Sequence, residues 1–247
     1  MDTRLQFFGT DETDARLTLV CLPFCGGGTG PFRAWVDLLP DGVALAALCY
    51  PGREGRFLEP FPRDWRELVD DSERTLEALA DRPHVLFGHS MGGWLAFDLA
   101  ARAERRGDKA ARGLVVSSCT PPGLGVTARD LVPSQQADDR QLLEWMREHG
   151  FMPPHVWDNP PLQDMAVELM RADITVRDSF TGTEGAVLEM PVEVLSGGED
   201  HTMSPDAEQR WRSLASGDFR HQVLPGGHFY TPEVWKGLPS HLGSFAL

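Results

Sequence analysis

Apolar residues fall into two kinds of run along this chain of 247 residues. Short continuous runs cover residues 16–24, 43–50, 84–87, 113–119, 192–195 and 221–224, with a shorter one at 5–8. They do not alternate apolar with polar, which is the pattern of strands covered on both faces of a parallel sheet. Segments with helical spacing lie between them. Residues 63–80 place Trp65, Leu68, Val69, Leu76 and Leu79 on one stripe, and 92–106 follow closely on the 84–87 run. Residues 205–215 open with Ser204 as a candidate N-cap and Pro205 at the first helical position. This alternation predicts an α/β fold: a mostly parallel central sheet flanked by helices, with 5–8 as an edge strand.

The rhythm breaks between about 121 and 190. That stretch has no clear strand pattern, several prolines and two helical patterns, 138–149 and 162–170. A helical insertion after a sheet strand, with the sheet resuming near Val192, is expected to be a lid, since long insertions in compact domains are usually functional. An ordinary helical decoration is the alternative. With no repeat, low-complexity tract or linker, residues 1–247 read as a single domain, a length common among α/β enzymes.

Composition removes several functions. The net charge of −14 argues against nucleic-acid binding, which needs cations to displace phosphate counterions. No stretch approaches the roughly 18 apolar residues of a membrane span, and MDTRLQFFGTDETD lacks the pattern of a secretory signal. Cys21, Cys25, Cys49 and Cys119 show neither C-x-x-C pairing nor metal-ligand spacing, so no metal is expected. Three of them sit in apolar runs, which predicts buried free thiols and a cytoplasmic location.

The chemistry concentrates in HVLFGHSMGGWLAF. A strand pattern runs into Gly88-His89-Ser90-Met91-Gly92 and a helix pattern follows at once. This is G-x-S-x-G in the strand-to-helix context of an α/β-hydrolase fold, with Ser90 as nucleophile on a sharp turn. A serine hydroxyl needs a base, and the base an orienting acid. In this fold they follow in the order Ser, acid, His. His228, in the glycine-bearing loop after the last strand pattern, is the candidate base. His89 is expected to pack structurally. VEVLSGGEDHTMSP supplies Asp200 as the candidate acid, with Glu199 its local rival and Asp173 a third. The oxyanion hole would use the N–H of Met91 and that of Cys25 or Gly26 in the LPFCGGG loop. That loop lacks the signatures of nucleotide-phosphate loops.

Together these residues resemble the type II thioesterases, the stand-alone editing enzymes of polyketide and nonribosomal peptide synthesis. Residues 22–27 are similar to that family's oxyanion loop, and residues 88–93 to its elbow. Residues 50–56 resemble its P-G-R-G-x-R turn, with Glu54 as a variant position. Arg171-Ala172-Asp173 resembles an R-A-D segment of its lid, and Gly198 to Asp200 and Gly226 to Phe229 its acid and histidine loops. Cys25 and His201 depart from the usual pattern. The resemblance implies hydrolysis of acyl thioesters on the phosphopantetheine arm of acyl or peptidyl carrier proteins; a monomer is expected, since nothing in the sequence suggests an obligate dimer. No cofactor is implied, because pantetheine arrives with the substrate. Arg33, Arg53, Arg56, Arg63 and Arg66 are candidates for a basic patch facing an acidic carrier, a solvated arginine face being the alternative. Other expected possibilities are a carboxylesterase on the same fold and a binding module on an inactive scaffold.

Overall fold

In the computed structural model the apolar runs become strands, and successive residues of the central strands enter different cores. Residues 3–9, 15–128, 130–131, 133–136, 138–183 and 185–243 are described. Val20 and Leu22 pack into one core with Ala46, Leu48, Leu86, Leu114 and Val116. Leu19 and Cys21 pack into the other with Leu45, Ala47, Val85, Phe87 and Val115. Burial on both faces explains why the runs carry no polar alternation.

Seven strands form one sheet in the order β1-β3-β2-β4-β5-β6-β7. They are β1 (Leu5–Phe8), β2 (Leu17–Leu22), β3 (Val43–Leu48), β4 (His84–His89), β5 (Ala111–Ser117), β6 (Val192–Gly197) and β7 (Phe219–Leu224). Only β1 is antiparallel, an edge strand on β3; the other neighbours pair in parallel. This is the mostly parallel, helix-flanked sheet expected for the α/β-hydrolase fold.

Helices α1 (Trp65–Leu76), α2 (Met91–Arg105), α3 (Asp139–Glu148), α4 (Pro160–Asp178), α5 (Ala207–Ser213) and α6 (Pro232–Gly237) fill the connections. Asp64 caps α1 by accepting from the Glu67 N–H at 2.9 Å. Asn159 caps α4, with Pro160 and Pro161 in its first turn. The segment after the glycine-rich loop is a 3-10 helix, Gly30–Leu38, that buries Phe32 and Trp35.

Two expectations are corrected. Helix α5 starts at Ala207, with Asp206 rather than Ser204 at its N-cap position, because residues 205–206 form a turn first. Helix α4 is far longer than the expected 162–170. Its C-terminal half buries Asp173 and Arg177 beside Ile174 and Val176, so charged residues interrupt the apolar stripe from which a helix would be read.

Among the described residues, those between β5 and β6 form only helices and turns apart from one isolated bridge at Leu188. Phe180, just past α4, packs on Trp65 and Trp94 with ring centroids 4.5 and 4.7 Å away. Among the described residues, no helix is long and apolar enough to cross a membrane. The four cysteines are free and buried.

Candidate active site

The elbow is shaped by glycines with no room for a side chain. A Cβ on Gly88 would lie 2.0 Å from the Gly92 carbonyl oxygen, and one on Gly92 would lie 2.2 Å from that of Leu22. Between them Ser90 is held at φ 54° and ψ −122°, a backbone conformation that costs a non-glycine residue about 1–3 kcal/mol. Ser90 occupies the N-cap position of α2, yet its side chain caps nothing there. It lines a cavity of about 80 Å³ together with Met91 and His228. His89, by contrast, is fully buried, with Nδ1 2.9 Å from Ser117 Oγ. Burial, reinforced by His228, pushes its pKa well down, so it packs as a neutral ring.

The loops after β6 and β7 carry Asp200 and His228. They are held together by the Glu199 N–H donating to the Gly226 carbonyl at 2.9 Å. A Cβ on Gly197 would lie 2.1 Å from the Gly227 carbonyl oxygen, so their close approach requires glycine. His228 Nδ1 lies 3.0 Å from Asp200 Oδ2. Asp200 Oδ1 accepts from the Thr202 N–H at 2.9 Å and the Thr202 hydroxyl at 2.6 Å. Burial alone would raise the Asp200 carboxyl, but the His228 and Thr202 hydrogen bonds outweigh it and hold the pKa down at about 2. Glu199 is exposed. The third candidate, Asp173, is buried on α4 and engaged elsewhere: its carboxylate takes a bidentate ion pair from Arg53, with contacts of 2.6 and 2.9 Å.

Met91 begins α2, and Cys25 meets it: the Cys25 thiol lies 3.4 Å from Met91 Sδ. Burial, only partly offset by Arg177, pushes that thiol up to about 12, so it packs as a neutral group. The Gly26 N–H donates to Asp173 Oδ2 at 2.7 Å. That donor is engaged within the protein, which disfavours Gly26 as the second oxyanion donor.

Several cavity residues escaped the sequence reading. Thr202, two residues after the acid, was legible only as a short polar side chain able to bond back to it. Trp145, His149 and Phe151 line the cavity from α3 and the turn after it, and Arg177 from α4. Only the aromatic end of the 138–149 pattern hinted at them. The expected arginine patch is corrected at Arg53 and Arg56, while Arg33 is exposed. Arg53 and Arg56 are buried, and Arg56 pairs with Glu59 and Asp71. Arg63 and Arg66 remain on the surface, paired with Glu67 and Asp70. Among the described residues, no group of three His, Cys, Asp or Glu side chains is arranged to hold a metal.

A serine on a strained elbow after a parallel strand, a histidine–carboxylate pair on the following strand ends and a shared cavity define an α/β-hydrolase architecture with the makings of a serine hydrolase. The chain belongs to the thioesterase domain family, which it matches over residues 17–244, and is thus a hydrolase acting on thioesters. It is 36% identical over 213 residues to the AMB antimetabolite synthetase AmbE of Pseudomonas aeruginosa, an alignment covering 86% of this chain but only 10% of AmbE. Among solved structures it is similar to the RedJ thioesterase from the prodiginine biosynthetic pathway in Streptomyces coelicolor. That match has 31% identity and a TM-score of 0.82, covering 95% of this chain and 87% of RedJ. It is also similar to BorB, the type II thioesterase from the borrelidin biosynthetic cluster, with 27% identity and a TM-score of 0.86, covering 100% and 98% of the two chains.

Proposed function

We propose that this chain is a type II thioesterase that clears acyl groups from the phosphopantetheine arm of acyl or peptidyl carrier proteins in polyketide or nonribosomal peptide synthesis. The observation that carries the reading is the convergence of Ser90 and of His228, itself paired with Asp200, on one cavity, in a chain similar to BorB and RedJ over nearly its whole length.

Ser90 Oγ attacks the thioester carbonyl carbon while His228 Nε2 takes the hydroxyl proton. Asp200 holds the imidazole by Nδ1 and stabilises the imidazolium. The N–H groups of Met91 and Cys25 receive the negative carbonyl oxygen. Collapse breaks the C–S bond, and His228 returns the proton to the departing thiolate. Water then attacks the acyl-serine, giving its proton to His228, and the free acid leaves as Ser90 is regenerated. The scheme uses no cofactor. Residues 121–190 act as a lid over the acyl group, a role supported by Trp145, Phe151 and Arg177 lining the cavity. The protein works as a monomer in the cytoplasm, where its four thiols stay reduced.

The test is release of free acid from an acyl-loaded carrier protein compared with hydrolysis of a simple oxygen ester. Faster turnover of the carrier thioester, abolished by Ser90→Ala, is expected. Good ester hydrolysis without acid release from the carrier would point to a carboxylesterase instead. Failure of Ser90 in folded protein to label with a fluorophosphonate would favour an inactive binding scaffold.

A further inference from the structure

The turn from Phe24 to Gly27 is pinned at two points by one buried ion pair. Asp173 Oδ2 takes the Gly26 N–H at 2.7 Å. Arg53 donates to the Gly27 carbonyl at 2.7 Å with the same nitrogen that reaches Asp173 Oδ2 at 2.9 Å. The other Arg53 terminal nitrogen closes the fork on Asp173 Oδ1 at 2.6 Å. The two side chains come from distant parts of the chain. Arg53 lies in the P-G-R turn after β3, and Asp173 is on α4. Both are nearly inaccessible, at 4% and 3% exposure.

Helix α4 meets the turn a second time through Met170, three residues earlier and so on the same face. A Cβ on Gly26, whose φ is +70°, would lie 2.9 Å from Met170 Cε. The Gly27 N–H closes the turn on the Phe24 carbonyl at 2.9 Å. The Gly26 N–H belongs to the peptide plane that follows Cys25, so holding it restricts rotation about the Cys25 backbone. The Cys25 N–H sits one plane earlier, and the Cys25 side chain meets Met91, with its thiol 3.4 Å from Met91 Sδ. An oxyanion donor works because it is aimed before the charge develops, and a loose one loses most of that effect.

We propose that Arg53 and Asp173 are positioning residues for catalysis: their ion pair holds the 24–27 turn so that the Cys25 N–H is aimed at the oxygen that becomes negative when Ser90 attacks. The helical segment after β5 is thereby coupled to the oxyanion hole. Acyl transfer reaches full rate only with α4 seated on the turn. The inference rests on the reading of Ser90 as nucleophile but not on the identity of the carrier.

The test uses the full chain and acetyl-N-acetylcysteamine, a small thioester that needs no carrier. Rates are normalised to serine titrated with a fluorophosphonate. Affinity for an acyl trifluoromethyl ketone, whose adduct with Ser90 carries an oxyanion, is measured in parallel. Removing one partner strands a buried charge, so the pair is replaced together by apolar side chains, Arg53→Met with Asp173→Leu, which such sites often tolerate. Loss of aim at one donor is expected to lower kcat by roughly 10- to 100-fold. KM should change little, and the ketone should weaken by a similar factor. Asp173→Asn, which keeps an acceptor for the Gly26 N–H, should recover part of the loss.

A folded double variant with near-normal kcat per titrated serine overturns the proposal. So does a kcat loss with unchanged ketone affinity, which would mark a merely structural pair. If the double variant does not fold, Asp173→Asn and Arg53→Lys decide: kcat and ketone affinity falling in proportion supports the proposal, and independence overturns it. Ser90→Ala keeps the two readings apart. Turnover surviving in that variant removes the nucleophile assignment, whereas its loss alongside normal pair variants removes only this inference.

Discussion

The turn after β6 and helix α4 each carry one buried carboxylate, and their partners set them apart. Asp200 faces His228, an imidazole, the group that takes up and returns the proton in the proposed scheme. Asp173 faces Arg53, a guanidinium that does not deprotonate in proteins. The first arrangement can stabilise a charge that comes and goes. The second is a permanent pair with no proton to move, so it can hold backbone in place but cannot assist a base. Burial is shared by both residues. The difference in chemistry lies in the partner.

The largest expected effect breaks the comparison at its catalytic side. Asp200→Asn should lower kcat/KM by about 10⁴ by favouring the wrong His228 tautomer. Steady-state kinetics on the thioester would show this, and a loss below tenfold would remove Asp200 as the orienting acid. On the other side, Asp173→Ala leaves the Arg53 guanidinium buried without its counter-charge. It should cost about 3–5 kcal/mol of stability, read by urea denaturation. A change under about 1 kcal/mol would mean that the pair is not a buried clamp.

Next comes pH. The Asp200 carboxyl is held at about 2 against an ordinary value of 3.8. A lowered folded-state pKa stabilises the fold above the unfolded value, and that contribution disappears as pH falls from about 4 through 2. It amounts to about 2 kcal/mol at neutral pH. Denaturation at pH 6 and pH 2 should show wild type losing more stability than Asp200→Asn. Parallel losses would contradict the assignment. The smallest effect is expected for Thr202→Val, which removes one hydroxyl donor to Asp200 and leaves the Thr202 N–H in place. A fall in kcat/KM of roughly tenfold is expected, corresponding to one charge-assisted hydrogen bond. An unchanged rate would assign the orienting role to His228 and Asp200 alone.

The catalytic side was the more legible of the two. Ser90, Asp200 and His228 each sit just past a strand, where apolar runs give way to glycine-bearing turns, and short-range pattern suffices to find such places. The choice between Asp200 and Glu199 was not local. It depends on which carboxylate the loop buries against His228. The α4 side was obscured because its buried face carries Asp173 and Arg177, which read in sequence as solvent-facing residues. The arginines of the 53–56 turn were misread for the same reason: a buried, paired arginine and an exposed one look identical until the partner is known.

Hydrophobic patterning by itself determined the parallel sheet, the elbow and the order of the candidate residues. Those features follow from periodicity and from glycine at turns where a side chain cannot fit. The tertiary structure alone decided which charges meet. Arg53 and Asp173 are separated by 120 positions, and Asp200 and His228 by 28. Burying charge is favourable only when a partner arrives with it. Sequence spacing carries no record of that meeting, which is made by the packing of α4 on the turn after β2 and by the adjacent ends of β6 and β7.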